Sequence, residues 1–263
     1  MHKQMPMLLR VIRMIRLILH VFSGVIQSLI YPHVLLHYQQ RMMQRWAVEL
    51  LTLLNIKLHC HGKPPGVDIP RALLVANHVS WLDICVLMAV CPTRFVAKSE
   101  IATWPILGTL CKNTGTLFIK RTQRKDTMRI NQHICEVLEA GERVVLFPEG
   151  TTADGTYLNH FHASLLQSAV TADALVCPVA MRYRNADGDI CSEAAYIDPS
   201  LILSLQQILA QPRIDTELFF GEPIPGGMKN RRELARMSES AIAEILLLPI
   251  RHKQPETISD RPI

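Results

Sequence analysis

The sequence predicts an α/β fold, a mixed β-sheet with flanking helices, preceded by an N-terminal two-helix segment suited to a membrane surface. Three observations predict it. Between about residues 55 and 247, short apolar runs rich in Val, Ile and Leu alternate with longer runs of helical periodicity. Three of the short runs stop abruptly in polar residues, as strands do when they deliver side chains to the carboxyl edge of a sheet. Residues 1–57 also differ in kind from the rest, with seven Lys/Arg against the single acid Glu49, so the net charge of +5 belongs to this segment.

At 263 residues with a 49% hydrophobic fraction, the chain can bury one large domain plus an appendage. The spacing divides it into a two-helix segment over 1–57, an α/β body over 58–252 and a polar, proline-containing tail over 253–263. From Leu8 to Tyr31 the residues Arg13, Arg16, His20, Ser23 and Gln27 recur every three or four positions and form one polar stripe, with Leu, Ile, Val, Met and Phe around the rest. That pattern reads as a helix lying in a membrane interface, basic on one side and apolar on the other. A spanning helix is the rival, but the uncharged stretch from Leu17 to Tyr31 is shorter than the roughly 20 residues a span needs. A signal peptide is a further rival, and no small-residue cleavage site precedes Tyr31-Pro32 to support it. A second helix to about Asn55 places Met42, Met43, Trp46, Leu50, Leu53 and Leu54 on one side, with Arg41 and Arg45 nearby to meet anionic headgroups.

In the body, strands are expected near 55–61, 72–76, 94–97, 114–119, 143–147, 175–182 and 214–220. Helices are expected near 81–90, 104–112, 126–140, 161–169, 200–210 and 231–247. The helix over 126–140 has the clearest ends, with Asp126 opening it and Gly141 closing it. Charge outside the first 57 residues is close to balanced and carries no basic patch interleaved with aromatics, which argues against a nucleic-acid partner. Seven cysteines occur without a C-x-x-C pair and read as reduced, mostly buried thiols facing a cytosol. No Cys/His group has zinc spacing, so no metal site is expected.

The chemistry concentrates in Ala72–Asp83. An apolar strand ends at Asn77-His78, and a helix-like run begins almost at once. Five residues on a continuous helix would set His78 and Asp83 roughly 140° apart, so they meet only if the chain turns between them. Ser80 then fits as an N-cap with Asp83 at N3. The pair suits an imidazole general base whose tautomer and cation are held by a carboxylate. The plainer reading is a polar loop histidine beside a helix cap.

Two further strand ends follow. Gly115-Thr116-Leu117-Phe118-Ile119-Lys120-Arg121 delivers two cations, and Arg143–Leu146 runs into Phe147-Pro148-Glu149-Gly150-Thr151-Thr152. With Val176-Cys177-Pro178-Val179-Ala180, these blocks in this order resemble the glycerolipid acyltransferases of the lysophosphatidate acyltransferase family over roughly residues 70–185. The resemblance implies 1-acyl-sn-glycerol-3-phosphate O-acyltransferase activity: transfer of a fatty acyl group to the free hydroxyl of lysophosphatidate, giving phosphatidate, without a covalent acyl-enzyme. The donor would be acyl-CoA or acyl carrier protein, with no cofactor and no metal. His78 and Asp83 would be catalytic; Gly115, Phe118, Lys120, Arg121, Phe147, Pro148, Glu149, Gly150 and Thr151 would bind substrate. Glu149 would meet acceptor hydroxyls, with Thr151 or backbone amides at phosphate or oxyanion. The resemblance also favours the two N-terminal helices acting as one membrane-docking unit, at the cytoplasmic face of a bacterial-type inner membrane.

The chain departs from the family pattern where many members carry Arg at the position of Thr152 and Lys-x-Gly after the next Phe; here His162-Ala163-Ser164 follow Phe161. That keeps lyso-ornithine lipid open as the alternative acceptor. No Gly-x-Ser-x-Gly elbow is present to suggest a lipase or esterase. A non-catalytic membrane scaffold is the remaining reading, and it has no need of an intact His78/Asp83 pair.

Overall fold

The computed structural model describes residues 6–66, 69, 71–120, 124–197 and 200–251. Arg121 and the tail from 253 lie outside the described residues.

In chain order the elements are α1 (Met7–Ile30), α2 (Leu36–Leu53), β1 (Ile56–His61), β2 (Ala72–Ala76), α3 (Leu82–Val90), β3 (Arg94–Lys98), α4 (Leu107–Asn113) and β4 (Leu117–Ile119). They continue with α5 (Arg124–Glu139), β5 (Val144–Leu146), β6 (Leu158–Asn159), α6 (Gln167–Thr171), β7 (Leu175–Asn185), α7 (Leu201–Ala210), β8 (Ile214–Phe220), β9 (Ile224–Pro225), α8 (Arg231–Leu246) and β10 (Ile250–Arg251). The main sheet runs in the order β1-β8-β7-β2-β5-β3-β4. From β7 to β4 all neighbours are parallel, whereas β8 pairs antiparallel with β7 and β1 runs parallel to β8. The sheet is therefore mixed, as the alternation of elements suggested.

β2 explains the position of the site. All five of its residues are buried. Ala72, Leu74 and Ala76 enter the core shared with α2 and α3, while Leu73 and Val75 enter the core shared with α5 and α8. A strand covered on both faces needs an unbroken apolar run, and Ala-Leu-Leu-Val-Ala supplies it. Because β2, β5, β3 and β4 are parallel, their carboxyl ends lie along one edge, which carries His78, Phe147, Lys98 and Lys120.

Most elements fall close to their expected places, and three differences matter. β7 continues to Asn185, beyond the expected 182, because its pairing with β8 runs from Val179↔Phe220 to Asn185↔Ile214. The helix expected over 161–169 is a 3₁₀ turn over Ala163–Leu166 followed by α6. The two-residue strands β6, β9 and β10 are too short to leave a period in the sequence.

The N-terminal helix corrects the reading of its polar stripe. Arg13, His20, Ser23 and Gln27 are the inward side, not a face turned to headgroups. Arg13 donates through Nη1 to the carbonyl of Gln211 after α7 (3.1 Å), and the His20 ring stacks on Trp46 of α2 at 4.9 Å. Trp46 Nε1 donates to the His20 carbonyl (3.1 Å), and Asn113 of α4 donates to Ser28 Oγ (3.2 Å). Gly24 lets the helices close, since a Cβ there would lie 2.6 Å from the Trp46 indole nitrogen. The outward face is apolar: Leu8, Ile12, Ile15, Ile18, Leu19, Phe22, Ile26 and Leu29 are exposed. Arg16 alone of the stripe is exposed. Among the described residues no helix is long and apolar enough to cross a membrane.

Gly115 also has a structural explanation. It precedes β4, at the amino edge of the parallel strands, opposite the edge that carries His78. Its φ is +75°, and a Cβ there would lie 3.0 Å from the Arg94 guanidinium, which is clamped by Glu142 through two bonds of 2.7 and 2.6 Å. Glycine is needed there for backbone and packing. Gly115→Ala is expected to destabilise the fold by about 1–2 kcal/mol, read by chemical denaturation, with the acceptor KM unchanged.

Candidate active site

The turn between β2 and α3 begins with Asn77, whose side chain prolongs the β2–β7 ladder. Its Nδ2 donates to the Met181 carbonyl (3.0 Å), and its Oδ1 accepts from the Met181 amide (2.7 Å). This fixes the chain one residue before His78. The backbone of His78 is held on both sides: its N–H donates to Glu149 Oε1 (2.6 Å), and its carbonyl accepts from Ala153 N (2.8 Å). The imidazole stacks on Phe147, centroids 4.1 Å apart and planes 18° from parallel.

Asp83 meets the other side of that ring. Its Oδ2 lies 2.8 Å from His78 Nδ1 and accepts from the amides of Val79 (2.8 Å) and Ser80 (2.9 Å). Its Oδ1 accepts from the hydroxyl of Tyr183 on β7 (2.6 Å). The carboxylate has no exposure at all, and four donors stand in for water. The carboxylate assigns the Nδ1 proton to His78 and leaves the lone pair on Nε2. The capping arrangement is shifted slightly from the expected one: α3 opens at Leu82, and Ser80 Oγ accepts from the Leu82 amide (3.3 Å) rather than from Asp83.

Each oxygen of Glu149 accepts a backbone amide. Oε1 takes the His78 amide and Oε2 the Asn159 amide (2.8 Å), and the side chain is buried. It ties the turn after β5 to the end of β2 and to β6. Burial pushes its carboxyl up to about 7, against the opposing pull of the two backbone amides and His78. Gly150 turns the chain at φ +76°, its amide bonded to the Phe147 carbonyl (3.1 Å), and Thr151 is exposed beside it. The Thr152 hydroxyl donates to the Tyr196 carbonyl.

The expected cations lie further along the edge. Lys120 is exposed at the end of β4, its amide donating to Asp126 Oδ2 (2.6 Å); Phe118 is half-buried within that strand. β4 stands three strands from β2, a lateral distance of roughly 14 Å. Lys98, which sequence reasoning did not single out, is exposed at the end of β3, one strand nearer to His78. The segment 158–162 also runs against the Phe147–Glu149 turn, with the His162 amide donating to the Pro148 carbonyl (2.9 Å) and His160 Nδ1 2.9 Å from Glu239. Tyr183 and Asn77 were also missed. Asn77 had a signal, a buriable amide at a strand end, whereas Tyr183 had none.

The family model described as Acyltransferase matches residues 57–182, the stretch that places the His78–Asp83 pair at the carboxyl end of β2. Within the acyltransferases the chain belongs to the 1-acyl-sn-glycerol-3-phosphate acyltransferase family. It is 38% identical over 205 residues to the lyso-ornithine lipid O-acyltransferase of Pseudomonas aeruginosa, covering 78% of each chain. It is 42% identical over 170 residues to the 1-acyl-sn-glycerol-3-phosphate acyltransferase of Neisseria gonorrhoeae, covering 65% of this chain and 66% of that one. The crystal structure of the 1-acyl-sn-glycerophosphate acyltransferase PlsC from Thermotoga maritima shares the fold, with a TM-score of 0.60 at 18% identity over 89% of this chain and 97% of that one.

The Glu149 carboxyl gives a pH dependence of stability. Its folded value of about 7 lies above the ordinary 4.5, so the folded state favours the protonated form. The associated stability is fully present below pH 4.5 and is lost as pH rises through 7, a change of order 3 kcal/mol. Glu149→Gln is expected to flatten that part of the profile, so that the difference in unfolding free energy between pH 5 and pH 8 shrinks. An undiminished difference would place the titration elsewhere.

Proposed function

We propose that the protein transfers a fatty acyl group from acyl-CoA or acyl carrier protein to the free hydroxyl of lysophosphatidate, giving phosphatidate. The reaction needs no cofactor beyond the acyl donor and takes place at the cytoplasmic face of a bacterial inner membrane. The observation that carries this reading is the 2.8 Å contact between His78 Nδ1 and the buried Asp83 carboxylate. An alcohol attacks a thioester only as its proton leaves, and a positioned base is worth roughly 10²–10⁴ in rate.

In this mechanism His78 Nε2 takes the hydroxyl proton while the oxygen bonds to the thioester carbonyl carbon. Asp83 stabilises the imidazolium that forms. When the tetrahedral oxyanion collapses, the carbon–sulfur bond breaks and the leaving thiolate takes the proton from Nε2, which restores the neutral base. Acyl transfer is thus direct, without a covalent acyl-enzyme. Phe147 keeps the ring plane fixed through the stack, and Glu149 holds the backbone beneath it. Lys120 and Arg121 would bind the acceptor phosphate as point charge and fork.

One observation favours lyso-ornithine lipid as acceptor instead. Thr152 stands where many family members place an arginine, and its hydroxyl is committed to the Tyr196 carbonyl. One phosphate-seeking charge is therefore missing from the turn after β5.

The exposed apolar face of α1 supports docking on a bilayer, with the helix lying along the surface. Its polar side is occupied by the body, so the apolar side is the one left for lipid.

Purified protein offered lysophosphatidate and lyso-ornithine lipid with each donor tests the acceptor. Turnover of lysophosphatidate is expected; turnover of lyso-ornithine lipid alone would replace it. His78→Ala is expected to lower kcat at least a hundredfold with the melting temperature little changed, and residual activity within tenfold of the wild type would remove His78 from the mechanism. For docking, the double variant Ile15→Glu, Phe22→Glu is expected to lose co-sedimentation with anionic vesicles while its stability changes by about 0.5 kcal/mol or less, since both side chains are exposed.

A further inference from the structure

We propose that Tyr183 is a positioning residue for the proton transfer, the outer member of a Tyr183–Asp83–His78 line. This rests on the reading of His78 as the base. Three of the four donors to Asp83 come from the turn it closes, and all three meet Oδ2. Tyr183 comes from a different element, 100 residues away on β7, and donates to Oδ1 at 2.6 Å. Without it Oδ1 would be a fully buried oxygen with no donor, and the carboxylate would be held through Oδ2 alone.

The hydroxyl has no competing use. Tyr183 is itself buried, and opposite it in the β7–β8 register stands Thr216, which cannot titrate. Burial and the adjacent Asp83 push the Tyr183 phenol well above 10, so it remains a donor at every working pH. The other titratable groups facing this line are few. On α3, Cys85 is pushed up to about 12 by burial and by Asp83, and Cys111 of α4 beside it is raised as well, so both stay neutral. Glu149 reaches the His78 amide from the turn after β5 and changes charge near 7.

Two consequences follow for His78. The Tyr183 bond fixes the plane of the carboxylate, and with it the direction of the imidazole that Oδ2 orients. It also draws negative charge toward Oδ1, so Asp83 holds the imidazolium less tightly than an unshared carboxylate would. The proton that His78 gains is then passed on more readily to the leaving thiolate.

The test compares Tyr183→Phe with site-specific 3-fluorotyrosine at 183, which keeps the shape and makes the hydroxyl a stronger donor. The readout is the pH titration of the His78 resonance in histidine-labelled protein, assigned by its absence from His78→Ala. Tyr183→Phe is expected to move the titration to higher pH by about half to one unit, and the fluorotyrosine to move it lower. The acid limb of kcat/KM should follow in the same directions, with kcat falling roughly tenfold in Tyr183→Phe and the acceptor KM little changed. The same shifts are expected in a Glu149→Gln background, which removes the other group that titrates there. Should Tyr183→Phe not fold, the fluorotyrosine protein carries the test alone. A His78 titration that fails to move in the fluorotyrosine protein, or a Tyr183→Phe protein that loses stability with titration and acid limb unmoved, would overturn the proposal and leave Tyr183 a packing residue. If the titration shifts as expected but neither acceptor turns over, the reading of the reaction fails while the Tyr183 coupling stands.

Discussion

The structure depends most on one buried charge. Asp83 has no solvent contact, and an ion in that position would cost several kcal/mol if left unpaired. Its tolerance requires that four donors arrive together: two amides of the 78–83 turn, the His78 ring and the Tyr183 hydroxyl. Each comes with structure attached. The amides demand the tight turn that opens α3, and the hydroxyl demands that β7 lie beside β2 in its observed register. The His78 ring is held from its other side by Phe147, which requires β5 on the opposite flank of β2. The carboxylate that orients the His78 ring therefore also ties together the ends of three strands.

Glu149 has a second, complementary part. It is a buried carboxyl that accepts two backbone amides, one at the end of β2 and one at β6. Of two neighbouring buried acids, the one with three amide or ring donors on a single oxygen and a phenol on the other orients the His78 imidazole. The one with two amides serves the backbone, and burial moves it toward neutrality. The two side chains are similar in the sequence, and their partners separate their roles.

Much of this was legible from the sequence. The continuous apolar run of β2, the abrupt polar stop at His78 and the need for a turn before Asp83 were enough to bring that pair together. Tyr183 was not legible, because its meeting with Asp83 depends on sheet register and on β7 running past residue 182. Periodicity marks the two faces of α1 correctly but does not say which one a folded body will cover. Arg13, His20 and Ser28 turn inward because Gln211, Trp46 and Asn113 respectively offer polar partners there, and those partners come from later elements of the chain. Gly115 shows the opposite failure. A motif match marks it as important, and the reason is a positive φ over a clamped arginine at the edge of the sheet remote from His78.

The acceptor question turns on charge rather than on shape. Lysophosphatidate and lyso-ornithine lipid both present a hydroxyl near an anion, so a base at the end of β2 with cations further along the same edge serves either one. They differ in that a phosphate carries up to two negative charges, whereas the ornithine headgroup pairs a carboxylate with an ammonium. Lys98 and Lys120 stand exposed at the ends of adjacent strands and place two cations on this stretch of the edge. The turn after β5 is different: Thr152 is neutral and its hydroxyl is engaged. Positive charge is thus concentrated at β3 and β4 and thinned beside the dyad. That distribution favours an acceptor whose anion lies toward the β4 edge while its hydroxyl reaches back to His78.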